Sequence, residues 1–233
     1  PEAIDLMFSL VKNDADYTVL PLASRYPQGA EKMLIEKATG REVPRGGLPS
    51  DVGVIVMNVT TASTLGKYLT TGMPLVKKRL TVDGDAIGSP KNVEVIIGTP
   101  IADVLDFCGV KDDVSKILMG GPMMGTAVVD PAAPVIKQNN ALVAFGPQLA
   151  SLPAPGACIR CGSCINACPM GLSPVEIAGA FNRCDTDALD ALMVDLCIGC
   201  GTCSFVCPAK RPVTQTMNLA KGAMMKAKNG GKK

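Results

Sequence analysis

Residues 158–169 read CIRCGSCINACP, and residues 197–208 read CIGCGTCSFVCP. Eight of the chain's ten cysteines therefore fall in two copies of one spacing, Cys-x2-Cys-x2-Cys-x3-Cys-Pro. Three thiolates so spaced face inward from one tight loop and hold three corners of an iron–sulfur cubane. The fourth, at the start of the next helix, points away toward a second cluster. The spacing predicts Cys158, Cys161, Cys164 and Cys207 on one [4Fe–4S] cluster, and Cys197, Cys200, Cys203 and Cys168 on the other. Gly162 and Gly201 relieve backbone crowding in the loops, and neighbouring amides can hydrogen-bond cluster sulfides.

Structural zinc fits less well, because it needs paired Cys-x2-Cys ligands and leaves the third and fourth cysteines and the prolines unexplained. Disulfides conflict with the lack of a secretory signal: the first residues are acidic and amphipathic rather than basic and then apolar. Cys108 and Cys184 lie outside both motifs and read as small buried hydrophobes. Between the cysteine loops, Ser173-Pro174-Val175-Glu176 has the pattern of a capping box. Helices are predicted near 174–181 and 187–196, their apolar faces shielding the clusters in a helical variant of the two-cluster ferredoxin.

Composition narrows the remaining functions. With 233 residues there is room for one or two compact domains, and 47% hydrophobic residues supply a core. There is no His, which removes every His-based metal site, dyad or triad. Aromatics are 3% with no Trp, and net charge is +2, so neither base stacking nor a polyanion partner is indicated. The apolar runs at 52–57 and 141–145 are too short to span a bilayer.

The first ~145 residues read as α/β from periodicity and breaker signals. Helices are predicted at 3–10 and 29–37, the latter stopped by Thr39-Gly40, with a strand at 17–22 and a loop at 44–49. Val52–Met57 has the continuous Val/Ile content of a strand buried on both faces, and Thr60 could cap a following helix through Leu69. Strands at 75–82, 93–97, 117–119 and 128–129, with a helix at 101–107, form a small mixed β and α unit. Pro131–Pro134 and Pro153–Gly156 mark linkers. The end, KGAMMKAKNGGKK from Lys221, reads as a frayed, solvated terminus. Alternatively, Lys221, Lys226, Lys228, Lys232 and Lys233 dock an acidic partner or lipid surface.

The order of these segments carries a resemblance. Tyr26-Pro-Gln-Gly-Ala-Glu31 and, after the Pro/Gly loop, Val56-Met-Asn-Val-Thr-Thr61 resemble two stretches of complex I's NADH-binding subunit, Tyr-x-x-Gly-Glu-Glu and Val-Asn-Asn-Val-Glu-Thr. There they line the FMN and nicotinamide site. Residues 81–121 look like the small β-grasp domain that follows. Ending in two ferredoxin motifs, with Met-Gly-Leu-Ser-Pro after the first, the whole is similar to the C subunits of Rnf-type ferredoxin:NAD oxidoreductases. The combination with YPQGAEK and VPRGGLP is the specific part.

That resemblance implies an α/β partial flavin/NADH-binding domain (1–74), a β-grasp, soluble-ligand-binding domain (75–130), a linker (131–156), a helical two-cluster [4Fe–4S] ferredoxin-like domain (157–220) and a basic tail (221–233). Tyr26, Gly29, Glu31, Asn58 and Thr61 match the family's cofactor-binding positions, whereas Ala30, Met57 and Thr60 depart from it. Read without the family, Glu31 is an exposed first-turn residue and Thr60 a helix cap. The family's glycine-rich FMN loop has no counterpart before Tyr26, which implies that the sequence starts inside that domain and that the flavin site is incomplete.

Implied cofactors are two [4Fe–4S] clusters and FMN, with NAD(H) as substrate. Implied partners are the other subunits of a membrane complex and, indirectly, ferredoxin, but no nucleic acid. The location would be peripheral, at the cytoplasmic face of the membrane. A cobalamin reductase of bacterial microcompartments shares the module order, and a non-enzymatic ferredoxin-like carrier is the rival of another class.

Overall fold

Alternating burial along Lys77–Asp83 organises a five-stranded sheet: Lys78, Leu80 and Val82 turn inward and the residues between them outward. The computed structural model describes residues 2–230. It divides into two units, Pro1–Met57 and Asn58–Lys233.

The first unit contains α1 (Glu2–Val11) and α2 (Glu31–Thr39). α2 ends where Gly40, at φ 67°, donates its N–H to the Glu36 carbonyl, the left-handed stop that Thr39-Gly40 predicts. Ile35 is its one fully buried apolar side chain among the described residues. The strands predicted at 17–22 and 52–57 do not form. Ile55 is 85% exposed rather than buried on two faces. β-propensity expresses itself only against a paired neighbour that satisfies the backbone, and these segments have none within the unit. Part of the second is instead a 3₁₀ turn, Pro49–Val52.

The second unit opens with α3 (Val59–Thr71). Its cap is Asn58, not Thr60: Asn58 Oδ1 accepts from the Thr60 N–H at 2.9 Å. Then follow β1 (Lys77–Asp83), β2 (Lys91–Ile96), α4 (Ile101–Phe107), β3 (Lys116–Met119), β4 (Thr126–Ala127) and β5 (Ala141–Phe145). The sheet order is β2-β1-β5-β3-β4, with β1 and β5 parallel and the other pairs antiparallel. α4 buries Ile101, Val104 and Leu105 in a core with Leu80, Val82, Ile117, Leu142 and Ala144, the β-grasp arrangement of one sheet around one helix.

Two expectations are corrected here. Residues 141–145, placed in a linker, form the central strand, and the last short strand lies at 126–127 rather than 128–129. Val129 is 96% exposed. Gly84 follows β1 at φ 123°, and a Cβ there would strike the Ala144 carbonyl of β5, so this close approach beside the parallel pair requires glycine.

The rest is helical: α5 (Pro147–Ala150), α6 (Ser163–Asn166), α7 (Pro174–Asn182), α8 (Thr186–Ala191), α9 (Thr202–Phe205) and α10 (Val213–Gly230). Leu172, Ile177, Ala180, Leu189, Val194, Met217, Ala220 and Met224 form a second core. The helix predicted over 187–196 breaks after Ala191. Met193 takes φ 53°, and a 3₁₀ turn, Val194–Leu196, leads into the second cysteine loop. Ser173 makes no side-chain cap bond, so the capping box does not close.

The end of the described chain is not frayed. α10 runs to Gly230, Met224 is buried, Lys221 Nζ donates to the Cys197 carbonyl at 2.8 Å, and Lys228 pairs with Asp190 at 2.7 Å. Helix-forming Ala, Met and Lys and a continuous apolar stripe extend the helix that far. Lys232 and Lys233 lie outside the described residues. No described helix is long and apolar enough to cross a membrane.

Candidate metal centres

The two cysteine loops are built alike. Gly162 (φ 76°) precedes α6 and Gly201 (φ 85°) precedes α9, each reversing the chain between its second and third cysteines. Only glycine enters that region without cost. A hydroxyl follows in each: Ser163 Oγ lies 3.3 Å from Cys161 Sγ, and Thr202 Oγ1 lies 3.3 Å from Cys200 Sγ. Cys168 follows α6 as Cys207 follows α9, and these two short helices pack together.

Around the second loop, Cys197, Cys200, Cys203 and Cys168 line one recess, walled by Leu172, Pro174 and Met217. The fourth thiol thus comes from the other loop's motif. Among the described residues no three His, Cys, Asp or Glu groups stand close enough to share a single metal ion. Thiols that each bind a different corner of a cubane stand farther apart than that, and a Cys₄ donor set suits [4Fe–4S]. The four-thiol donor set of this recess fits a sulfide-bearing group.

The loops differ in exposure. Cys158 and Cys161 are exposed and Cys164 half-buried, whereas Cys200 is buried and Cys197 and Cys203 half-buried. Burial pushes the Cys197 and Cys203 thiols up, and Cys164 likewise, with the neighbouring thiols adding to the rise. Hydrogen bonding to Ser163 draws Cys161 down. Loading the second loop must therefore expel protons from thiols that burial holds neutral. Part of its cover comes from the β3–β4 turn: a Cβ on Gly201 would lie 2.6 Å from the Met123 carbonyl oxygen.

Of the two remaining cysteines, Cys108 is wholly buried in the sheet core. Cys184 is exposed, at φ 56° in the turn after α7, so the expectation of burial fails there. Sequence reasoning also missed Ser204, within the second loop, and Thr214, which contacts it, and it placed Lys221 in a docking tail, whereas Lys221 bonds the Cys197 carbonyl. The usable signal was two polar residues in the inward register of α10, at 214 and 221, beside Met217, Ala220 and Met224.

In the first unit, Tyr26 and Gly29 lie in the turn before α2, and Glu31 is its first residue. A Cβ on Gly29 would meet nothing within 4 Å, so packing within the protein does not demand glycine there. In the second unit, Asn58 caps α3 and Thr61 stands in its first turn.

Three protein families match in chain order: a Nuo51 FMN-binding domain over residues 1–67, an SLBB domain over 79–127 and a 4Fe-4S dicluster domain over 154–212. The C subunit of the Na(+)-translocating ferredoxin:NAD(+) oxidoreductase complex of Acetobacterium woodii is 43% identical over 178 residues, 76% of this chain and 40% of the relative. The proton-translocating counterpart of Clostridium ljungdahlii is 43% identical over 175 residues, 75% of this chain and 38% of the relative. The C subunit of the ion-translocating oxidoreductase complex of Rhodobacter capsulatus is 34% identical over 231 residues, 96% of this chain and 44% of the relative. The chain spans less than half the length of these relatives. Their names favour the Rnf-type reading over the cobalamin-reductase and stand-alone-carrier readings.

Proposed function

We propose that this chain, a homologue of the C subunits of ion-translocating oxidoreductase complexes, relays electrons between NAD(H) and partner subunits through a flavin and two [4Fe–4S] clusters. One observation carries the reading: a thiol from the first motif, Cys168, shares a recess with three from the second. Cys197, Cys200, Cys203 and Cys168 hold one cluster, and Cys158, Cys161, Cys164 and Cys207 hold the other. When bound, the cubanes would supply one-electron storage, and FMN, competent in one- and two-electron steps, would supply hydride exchange with NAD(H).

The protein's own contribution is spacing, shielding and orientation. Packing of α6 against α9 fixes the interval between the two thiol sets. The helical core and the Met123 turn keep water from the second loop, while exposed Cys158 and Cys161 leave the first open to a redox partner. In the first unit, Glu31 at the start of α2 would accept from a ribose hydroxyl or carboxamide; in the second unit, Asn58 and Thr61 at the start of α3 would donate to a phosphate. Other subunits of the complex, and ferredoxin through them, are the partners, at the cytoplasmic face of the membrane.

Anaerobic reconstitution tests this. The chain should take up about eight iron atoms, as two cubanes require, and reduction should give two EPR-active [4Fe–4S] centres. Zinc retained in place of iron, or a single cluster, would refute it.

A further inference from the structure

The inward stripe of α10 carries Met217, Ala220 and Met224, and it also carries Thr214 and Lys221. Polar groups in such a register need partners, and both find them in the second cysteine loop. Lys221 Nζ, half-buried, donates to the Cys197 carbonyl at 2.8 Å. Thr214 Oγ1 lies 3.3 Å from Cys203 Sγ. Ser204 fixes that hydroxyl: its Oγ donates to Thr214 Oγ1 at 2.9 Å and accepts from the Thr214 N–H at 2.8 Å. A cluster-bound Cys203 is a thiolate and can only accept, so in the loaded chain the Thr214 hydroxyl is the donor to that sulfur.

The repeat makes the arrangement one-sided. A shift of 39 residues, the interval from Cys158 to Cys197, superposes the motifs without a gap through Pro174 and Val213. Under that shift Ser204 corresponds to Ile165, Thr214 to Val175 and Lys221 to Asn182. The first copy has two aliphatic side chains and a neutral amide where the second has a hydroxyl pair and a cation.

We propose that Thr214 and Lys221 are positioning residues that raise the reduction potential of the cluster held by Cys197, Cys200, Cys203 and Cys168, and so make the two clusters unequal. Reduction adds one electron to the cluster and breaks no bond. A fixed cation and a hydrogen bond donated to a ligand sulfur both stabilise the more negative form. The buried surroundings act the other way, so this pair counters the loop's own burial. The inequality rests on the two-cluster reading proposed above.

The test is a dithionite-poised potentiometric titration of the cluster-loaded chain, followed by EPR, the signal of the Cys197, Cys200, Cys203 and Cys168 cluster being the one lost in Cys200→Ser. Lys221→Met should lower the reduced-to-oxidised ratio of that cluster roughly tenfold at fixed potential, about 59 mV for one electron. Lys221→Gln, which keeps a donor without the charge, should shift it the same way, and Lys221→Arg should restore it. Thr214→Val should shift it less, with Thr214→Ser restoring it. The cluster of Cys158, Cys161 and Cys164 should not move in any variant. Two intact clusters with unchanged potentials, or with equal shifts in both, would overturn the proposal. Failure to load two clusters in the wild-type chain would instead overturn the two-cluster reading itself.

Discussion

Gly201→Ala and Gly162→Ala form a matched pair that isolates the contact between the β3–β4 turn and the second cysteine loop. Both glycines sit at equivalent places in the repeat, at φ 85° and φ 76°. An alanine costs about 1–2 kcal/mol in either left-handed conformation, and this common part cancels. The surroundings do not cancel. A Cβ at 162 meets nothing within 4 Å, whereas a Cβ at 201 would lie 2.6 Å from the Met123 carbonyl oxygen, a backbone atom that cannot rotate away. Displacing a packed segment costs about 1–3 kcal/mol, a factor of roughly 5 to 150 in an opening equilibrium. Iron release to a chelator from the anaerobically loaded chain, resolved by EPR into its two clusters, reads this difference. Gly201→Ala should speed loss from the Cys197 cluster by that factor beyond the effect of Gly162→Ala on the Cys158 cluster. Equal acceleration in the two variants would show that the turn does not brace the second loop.

Other outcomes follow from the same geometry. Cys168→Ser should damage the cluster of Cys197, Cys200 and Cys203 and spare that of its own loop; an EPR loss confined to the Cys158 cluster would reverse the crossed assignment. Met224→Ala should cost about 2–5 kcal/mol in unfolding free energy, and deletion of residues 222–233 at least as much; a purely salt-dependent assembly defect with unchanged stability would restore the tail as a docking arm. Burial raises the Cys108 thiol, against an opposing effect of Lys91. A raised folded-state value means that its contribution to stability is complete below the ordinary thiol range and declines as pH climbs through that range toward the folded value. Alkylation should accordingly label Cys184 in the loaded chain and reach Cys108 only on unfolding or at high pH, and mass spectrometry of the labelled peptides decides it.

The cysteine spacing made the ferredoxin-like part legible because ligand geometry is local: twelve residues position four thiols. α4 was equally plain, since Ile101, Val104 and Leu105 lie on one helical face. β5 was not, because its role depends on a parallel pairing with β1 some sixty residues earlier, which no local window contains. The Pro-rich segments on either side made it look like linker. The 17–22 and 52–57 segments failed in the opposite direction, having strand composition without partners. In the site, Asn58 displaced Thr60 as a cap, since only the structure fixes which side chain reaches the first-turn amide. The 39-residue comparison that picks out Ser204, Thr214 and Lys221 was available from the sequence. It gains physical meaning only once α10 is seen to extend beyond Lys221.

The strand order also dictates a schedule during synthesis. β5 lies between β1 and β3, so the sheet cannot close until Phe145 has left the ribosome. A chain emerging at about 5–20 residues per second then presents Cys158 within seconds, and Cys197 only after a finished β-grasp surface exists. The Met123 turn is therefore in place as a template before the loop that it covers has been made. A translational pause between Phe145 and Cys158 would favour orderly cluster insertion, whereas premature release before Phe145 would leave β1 and β3 as unpaired edges, open to association with other chains.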